Sequence, residues 1–154
     1  MMLIYGGFIT VLVLAPNLIF LAFPPRPQPV NLAARPAPRW AEIAERIGQV
    51  GCFALPFLYF FDSQPLAAGL WLGLMAVALV VYYSGWARYL RRGRGSDLLY
   101  SPLLRLPIPL AVTPVLYFLL AAGLLASPWL ALAALCLAAG HWTVSWAEYA
   151  KYRP

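Results

Sequence analysis

The sequence has few charged residues and none of the short motifs that mark common catalytic sites. Only 10% of its 154 residues are charged, and 5 of them are acidic. There is no GxSxG, Walker, HExxH, GxGxxG or CxxC arrangement, so nothing indicates the chemistries that depend on those spacings. A single histidine, His141, excludes a bis-histidine haem site within one chain. Cys52 and Cys136 lie in separate apolar runs, which favours packed thiols. We therefore expect no cofactor and no metal ion.

Apolar residues are what the sequence has in abundance. They make up 63% of the chain, and the mean hydropathy is +0.75, which is typical of an integral membrane protein. The hydrocarbon core of a bilayer is roughly 30 Å thick and needs about 20 apolar residues in a helix. Five runs satisfy this requirement. The sequence predicts one membrane domain over residues 1–154, an all-α bundle of five transmembrane helices at about 3–23, 40–61, 66–87, 106–126 and 129–148.

Basic residues occur only in alternate connections of this bundle. They lie in a proline-rich connection (24–39) and just inside the second span, in an arginine-rich connection (88–105), and after the fifth span. The chain start and the other two turns have none. Because cytoplasmic loops collect Lys and Arg, the pattern predicts an N-terminus outside and a C-terminus in the cytoplasm. Ten of the eleven basic residues are Arg, as in many bacterial genomes of high GC content. We expect a multi-pass protein of the bacterial cytoplasmic (inner) membrane.

The net charge of +6 indicates which partners to expect. On the cytoplasmic side it would attract the anionic headgroups of membrane lipids, whereas no recognition module accompanies it that would favour nucleic acid. In the third span, Gly69 and Gly73 form a GxxxG spacing that Ala76 extends on the same face. Such a stripe lets another helix approach closely. Packing within the chain is the commoner explanation, and a homo-oligomer through this face is the alternative.

Serine and proline pairs predict where helices begin. Ser63 with Pro65, Ser101 with Pro102, and Ser127 with Pro128 each place a hydroxyl and a proline where a first helical turn prefers them;. The second and third spans, and the fourth and fifth, should then form tight antiparallel hairpins.

Aromatic residues gather at the predicted cytoplasmic ends of the helices. Tyr82, Trp86 and Tyr89 recur at helical spacing, and several Trp and Tyr residues of other spans lie at a similar depth. Such rings suit the headgroup boundary. The pattern favours an interfacial belt over an aromatic ligand cage.

Polar side chains inside the predicted spans are the best pointer to function, because they are costly in hydrocarbon and usually face a bundle interior. Glu45 and Gln49 share a face of the second span, and His141 and Ser145 share a face of the fifth, at similar predicted depths. Prolines interrupt the first and fourth spans at the same level. The hypothesis is a polar cavity open to the cytoplasm with two sets of residues. Its wall would comprise Asn17, Glu45, Gln49, Tyr83, Thr113, His141 and Ser145. Its mouth or headgroup contacts would comprise Arg46, Arg88 and Arg105.

A structural explanation of the same residues carries about equal weight. Glu42 and Arg46 are spaced as an ordinary helical ion pair, and a single His–Glu contact can be a packing bond. Three function classes therefore stay open. They are an accessory protein that binds lipids or small molecules, a small carrier or channel component, and a membrane enzyme acting on a lipid-like substrate, for which His141 and Glu45 would be an acid–base pair.

Two weak family resemblances assign no roles. The segment from Arg46 to Gln49, followed by Leu55, Pro56 and Phe57, resembles the small membrane-embedded eicosanoid and glutathione enzymes, but the Asn and Glu of their pattern are missing. The tail from Glu148 to Pro154 resembles isoprenylcysteine-type membrane methyltransferases, but their His-Pro motif is absent. No family is assigned.

Overall fold

The computed structural model describes residues 3–29, 31, 34–62, 66–103 and 106–152. The described chain is helical apart from two short strands, so the predicted all-α class is confirmed at that level. Its elements in chain order are β1 (Leu3–Tyr5), α1 (Gly7–Ala22), α2 (Arg39–Ala54) with a 3-10 turn (Leu55–Leu58), β2 (Phe60–Asp62), α3 (Leu66–Arg91), α4 (Asp97–Tyr100), α5 (Pro109–Leu124) and α6 (Pro128–Lys151).

Two of the described helices, α3 and α6, are long and apolar enough to cross a membrane. They have 26 and 24 residues. Helices α1 and α5 are apolar but shorter, with 16 residues each, and α2 has the same length. Five full-length spans were predicted, with each boundary to within about 2–4 residues. The predicted end of the second span is wrong, because α2 ends at Ala54, whereas the ends of α1 and α5 fall within that margin.

Proline and strand pairing explain the shorter helices. Residues Leu3–Tyr5 pair with Phe60–Asp62 as antiparallel strands, which removes the outer ends of the first two predicted spans from helix. Pro56 lies where α2 gives way to the 3-10 turn, because proline cannot donate an intrahelical hydrogen bond. Helix α5 begins only at Pro109, after Ile108 in a left-handed conformation.

The helices α1, α3, α5, α6 and α2 form a ring in that order. The most extensive packing joins α2 to α6, then α3 to α5 and α5 to α6, while α1 contacts α3 and α2 more lightly. The predicted hairpin of the second and third spans is therefore wrong, because β2 pairs with β1 and α3 packs against α5. The hairpin of α5 and α6 is confirmed. Its turn is capped by Ser127, whose hydroxyl accepts from the backbone N–H of Leu130.

The other two predicted helix starts differ from this one. Ser63 and Pro65 lie outside the described residues. Ser101 ends α4 instead of capping the next helix, and its hydroxyl contacts the Leu98 carbonyl. The left-handed Ile108 and the prolines around it delay the start of α5 by several residues.

Glycines bring α2 and α6 into close contact. A Cβ at Gly48 would fall on the Leu137 backbone, and a Cβ at Gly140 would fall on the backbone of Glu45. By contrast, a Cβ at Gly69 or Gly73 would meet nothing within 4 Å. Helix packing within the described chain therefore does not use the predicted stripe, and the small residues that matter lie elsewhere.

Different connections meet at the two ends of the ring. At one end, the Arg26 N–H donates to the Arg94 carbonyl, and the Asn31 N–H donates to the Lys151 carbonyl. These bonds join the first connection, the third connection and the C-terminal end of α6. At the other end, the Tyr59 hydroxyl accepts from Ser127, and β1 pairs with β2. Within the described chain, basic side chains belong to the connections and helix ends at the first end, apart from Arg46 in the middle of α2.

Candidate functional site

A cavity of about 350 Å³ lies inside the helix ring. Its wall is contributed by α1, α2, α3, α5 and α6, and by Leu99 and Tyr100 of α4. Since α4 also packs against α3, α5 and α6, it lies across the basic end of the ring. Ligand pockets in proteins are commonly about 300–1,000 Å³ and mostly apolar with a few polar groups, which describes this cavity.

Four of the seven predicted wall residues line the cavity. They are Asn17, Gln49, His141 and Ser145. A fifth, Glu45, lies directly behind the wall, because one of its carboxylate oxygens is 2.5 Å from Nδ1 of His141. The same oxygen is 3.4 Å from the Gln49 side-chain nitrogen, which donates to it. Three polar side chains from two helices thus form one connected group beside the cavity.

The close packing of α2 on α6 produces this group. Gly140 precedes His141 and contacts the backbone at Ala41 and Glu45 without space for a side chain. Because the two backbones are so close, the imidazole of His141, the next residue of α6, reaches the carboxylate of Glu45 on α2. The side chains of His141 and Glu45 are 26% and 17% exposed, so both are largely removed from solvent.

The carboxylate fixes the orientation of the imidazole. A carboxylate can only accept hydrogen bonds, so Nδ1 of His141 carries a hydrogen, and Nε2 is an acceptor when the ring is in its neutral form;. On the opposite wall, the Tyr82 hydroxyl donates to Oδ1 of Asn17 at 3.0 Å, which leaves the Asn17 amide nitrogen as a donor group. The cavity is therefore bordered by oriented donors and acceptors on two sides.

The aromatic residues of α3 are not an interfacial belt. Tyr82, Trp86 and Tyr89 are only 3%, 6% and 0% exposed, and their rings make successive edge-to-face contacts. Tyr82 and Trp86 belong to the cavity wall, together with Phe20, Phe53 and Phe118. The belt interpretation is wrong for these three residues, because they lie on the face of α3 that points into the ring. Trp40, Trp142 and Trp146 are exposed, as a belt requires.

Two predicted wall residues lie elsewhere. The Tyr83 hydroxyl donates to the Leu12 carbonyl at 2.8 Å from an exposed side chain. Pro16 is four residues after Leu12 and has no N–H, so the tyrosine supplies the donor that the helix lacks. Thr113 is buried in α5, and its hydroxyl donates to the Pro109 carbonyl of its own helix. Both residues satisfy backbone carbonyls and do not line the cavity.

The three predicted mouth residues have different surroundings. The Arg88 guanidinium donates to the carbonyls of Leu98, Ser101 and Pro102, so it holds the connection that carries α4. Arg46 is exposed on α2. Arg105 lies outside the described residues. Arg88 therefore has a structural role, because it holds the loop that carries α4 at the basic end of the ring.

Tyr100 is a wall residue that the sequence pattern does not predict. It lines the cavity from α4, and its ring stacks on Tyr152 with centroids 5.9 Å apart. Burial and the nearby Glu148 carboxylate raise the pKa of Tyr100 to about 12, so its hydroxyl stays protonated at physiological pH. A four-residue helix leaves no periodic signal, and only the position of α4 across the ring identifies this residue as part of the wall.

The chemistry of the site is that of a mostly apolar pocket, with six Phe, Tyr or Trp side chains in its wall and an oriented imidazole. The described residues include no cluster of three His, Cys, Asp or Glu side chains that could hold a metal ion. Comparison of the chain with protein-family models, with curated proteins and with solved structures finds no match. Its function is therefore inferred from the cavity and from the surface that surrounds it.

Proposed function

We propose that this chain is a small multi-pass protein of the bacterial inner membrane that binds a small amphipathic molecule in the cavity beside His141. The observation that carries this proposal is the 350 Å³ cavity, which lies inside a helix ring and borders the Glu45–His141 pair. The five spans, with the N-terminus outside and the C-terminus in the cytoplasm, are part of the same proposal.

The exposure of the long helices supports a membrane environment. In the most apolar 18-residue windows of α3 and α6, only 22% and 33% of the residues are buried within the chain. A core helix of a soluble protein would be mostly buried. Large apolar side chains such as Leu70, Val77 and Val80 on α3 and Leu132 and Leu135 on α6 point outward, where lipid would cover them.

The distribution of charge supports the proposed orientation. The connections that carry arginine meet at one end of the ring, and the described connections without basic residues meet at the other. Because cytoplasmic loops are enriched in Lys and Arg, the basic end would face the cytoplasm and contact anionic headgroups. The shorter helices α1 and α5 span about 24 Å at 1.5 Å per residue, and strands or turns would complete their crossings.

Identifying a bound molecule tests the proposal. The protein is extracted directly into lipid nanodiscs and analysed by native mass spectrometry. A Ser145→Leu variant fills the cavity, and a Thr143→Leu variant, on the same helix but outside the wall, is the control. We expect wild type and control to retain a ligand of one class and the cavity variant to lose about nine-tenths of it. Equal occupancy in all three proteins, or no bound molecule in any, would reject the proposal.

One observation favours a second candidate, a membrane enzyme for a lipid-like substrate. The Glu45–His141 pair has the geometry of an oriented general base, with Nε2 as the atom that would take a proton. Turnover of the ligand that co-purifies with wild type, but not with His141→Ala, would support catalysis. A ligand recovered unchanged from both proteins supports the binding role.

A further inference from the structure

We propose that the ligand of this cavity is an uncharged amphiphile whose headgroup is a hydroxyl-bearing aromatic ring, of the phenol or quinol class, attached to an apolar chain. The hydroxyl of the ring would donate to Nε2 of His141. This inference rests on the proposed binding function and specifies the chemistry of the molecule that is bound.

The charge of the wall argues for a neutral headgroup. None of the described residues that line the cavity is Asp, Glu, Lys or Arg. The Glu45 carboxylate lies behind His141 and Gln49, which both contact it, and the Arg88 guanidinium is bound to loop carbonyls. A charged headgroup would lose its hydration without gaining a counter-ion, which is strongly unfavourable. A phosphate or carboxylate would also lie close to Glu45.

The shape and composition of the wall argue for a flat ring. Six aromatic side chains from five different helices surround the space; they are Phe20, Phe53, Tyr82, Trp86, Tyr100 and Phe118. Aromatic rings pack best edge-to-face or offset against other rings. The rings of α3 already make such contacts with each other, so an inserted ring would extend an existing arrangement.

The hydrogen-bonding groups argue for a hydroxyl on that ring. The Glu45 carboxylate holds a hydrogen of His141 on Nδ1, and in the neutral form of the ring, which this proposal takes, Nε2 is an acceptor;. The Gln49 side-chain N–H donates to the same carboxylate, and its amide oxygen is an acceptor too. A ligand that donates a hydrogen bond would complement these two acceptors. A phenolic hydroxyl supplies one without carrying a charge at neutral pH.

The apolar chain of the ligand would leave the cavity between α1 and α2. These helices meet at the end of the ring opposite the basic end. There the Thr10 hydroxyl donates to the Phe53 carbonyl, and Gly6 and Gly7 lie against Pro56 and Phe57. Further towards the basic end, α1 is held instead by tyrosine hydroxyls of α3. The cavity residues Phe20 and Gln49 lie on either side of this less tightly packed boundary.

A set of amphiphiles with the same alkyl chain tests the headgroup. The probes are para-dodecylphenol, its methyl ether para-dodecylanisole, dodecyl phosphate and dodecyltrimethylammonium. Each is titrated into the protein in phosphatidylcholine nanodiscs, and saturable binding is followed by tryptophan fluorescence and thermal shift. The ether keeps the ring and the chain but lacks the donor. We expect the phenol to bind about tenfold more tightly than the ether, and the two charged probes to bind more weakly than the phenol.

Variants show whether His141 is responsible for the preference. In His141→Phe the ratio of the phenol and ether affinities should fall to about one, while in Thr143→Val, on the same helix outside the wall, it should be unchanged. A ratio of two affinities is insensitive to a general loss of stability. The inference is overturned if wild type binds the ether as tightly as the phenol, if dodecyl phosphate binds best, or if His141→Phe keeps the preference.

Failure of this inference is distinguishable from failure of the proposed function. If no probe binds but native mass spectrometry finds a co-purified molecule of another class, the headgroup assignment is wrong and the binding function stands. If no probe binds and no molecule co-purifies, both are rejected.

Discussion

At the scale of single residues, the contact between Glu45 and His141 should stabilise the packing of α2 on α6. Both side chains are largely buried and lie 2.5 Å apart, and hydrogen bonds to charged groups contribute about 1.5–3 kcal/mol. We expect Glu45→Gln and His141→Ala each to lower the free energy of unfolding by about 1–3 kcal/mol, and the double variant to lose less than the sum. Titration with SDS in mixed micelles measures all three values.

Glu42 provides the control for this cycle. It lies on α2 one turn before Glu45 and is exposed, so Glu42→Gln should change the free energy of unfolding by less than about 0.5 kcal/mol. Strictly additive losses in the double variant would show that Glu45 and His141 are not energetically coupled.

The contribution of Tyr83 to the free energy of unfolding should depend on Pro16 of α1. Its hydroxyl donates to the Leu12 carbonyl, which Pro16 leaves without an intrahelical donor. Tyr83→Phe should therefore cost about 1 kcal/mol. In a Pro16→Ala background, residue 16 regains an N–H, and the same tyrosine change should cost about half as much or less. Equal costs in the two backgrounds, measured by SDS titration, would contradict this explanation.

At the scale of secondary-structure elements, two kinds of glycine should respond oppositely to the same substitution. Gly140→Ala would place a methyl group on the backbone of Glu45, and such overpacking costs about 1–3 kcal/mol. Gly73→Ala adds a methyl group in open space and should gain up to about 1 kcal/mol, since alanine is the better helix former. Thermal unfolding in detergent compares the two. Loss of stability in Gly73→Ala together with loss of a dimer would instead support the alternative of a homo-oligomer through this face.

The difference between these glycines explains why sequence periodicity misidentified the packing face. The stripe of Gly69 and Gly73 and the pair Gly48 and Gly51 both have helical spacing, and only the second pair lies against α6. Spacing within one helix shows which residues share a face. It does not show which other helix covers that face, because that depends on the order of helices in the ring.

The same limit applies to the aromatic residues of α3. Their spacing correctly placed Tyr82, Trp86 and Tyr89 on one face of α3. The same spacing is expected for an interfacial belt and for a row of buried rings in contact with each other. The decisive fact is that this face points into the ring. Polar residues were more informative, because placing them in a membrane helix is costly and implies an interior partner. Asn17, Gln49, His141 and Ser145 could therefore be predicted to lie together, whereas Tyr100 on the short α4 could not.

At the scale of the whole molecule, the connections that carry basic residues in the sequence are the connections that lie together at one end of the ring. The sequence alone placed 24–39, 88–105 and the end of the chain on one side, and hydrogen bonds join the described parts of these segments. Helix lengths could not be predicted equally well, because Pro56, Ile108 and the pairing of β1 with β2 end or delay helices within continuous apolar runs.

The proposed orientation makes a direct prediction for chemical labelling of cells. Single cysteines are introduced at Arg92, in the arginine-rich connection, and at Ala126, in the turn before α6, after Cys52 and Cys136 have been replaced by alanine. Both target positions are exposed. A maleimide that crosses the outer membrane but not the inner membrane should react with Ala126→Cys in intact cells and with Arg92→Cys only after the inner membrane is permeabilised. Because a charged loop of this size is retained on the cytoplasmic side, labelling of Arg92→Cys in intact cells would reverse the orientation. The basic end of the ring, and the cavity above it, would then face the periplasm.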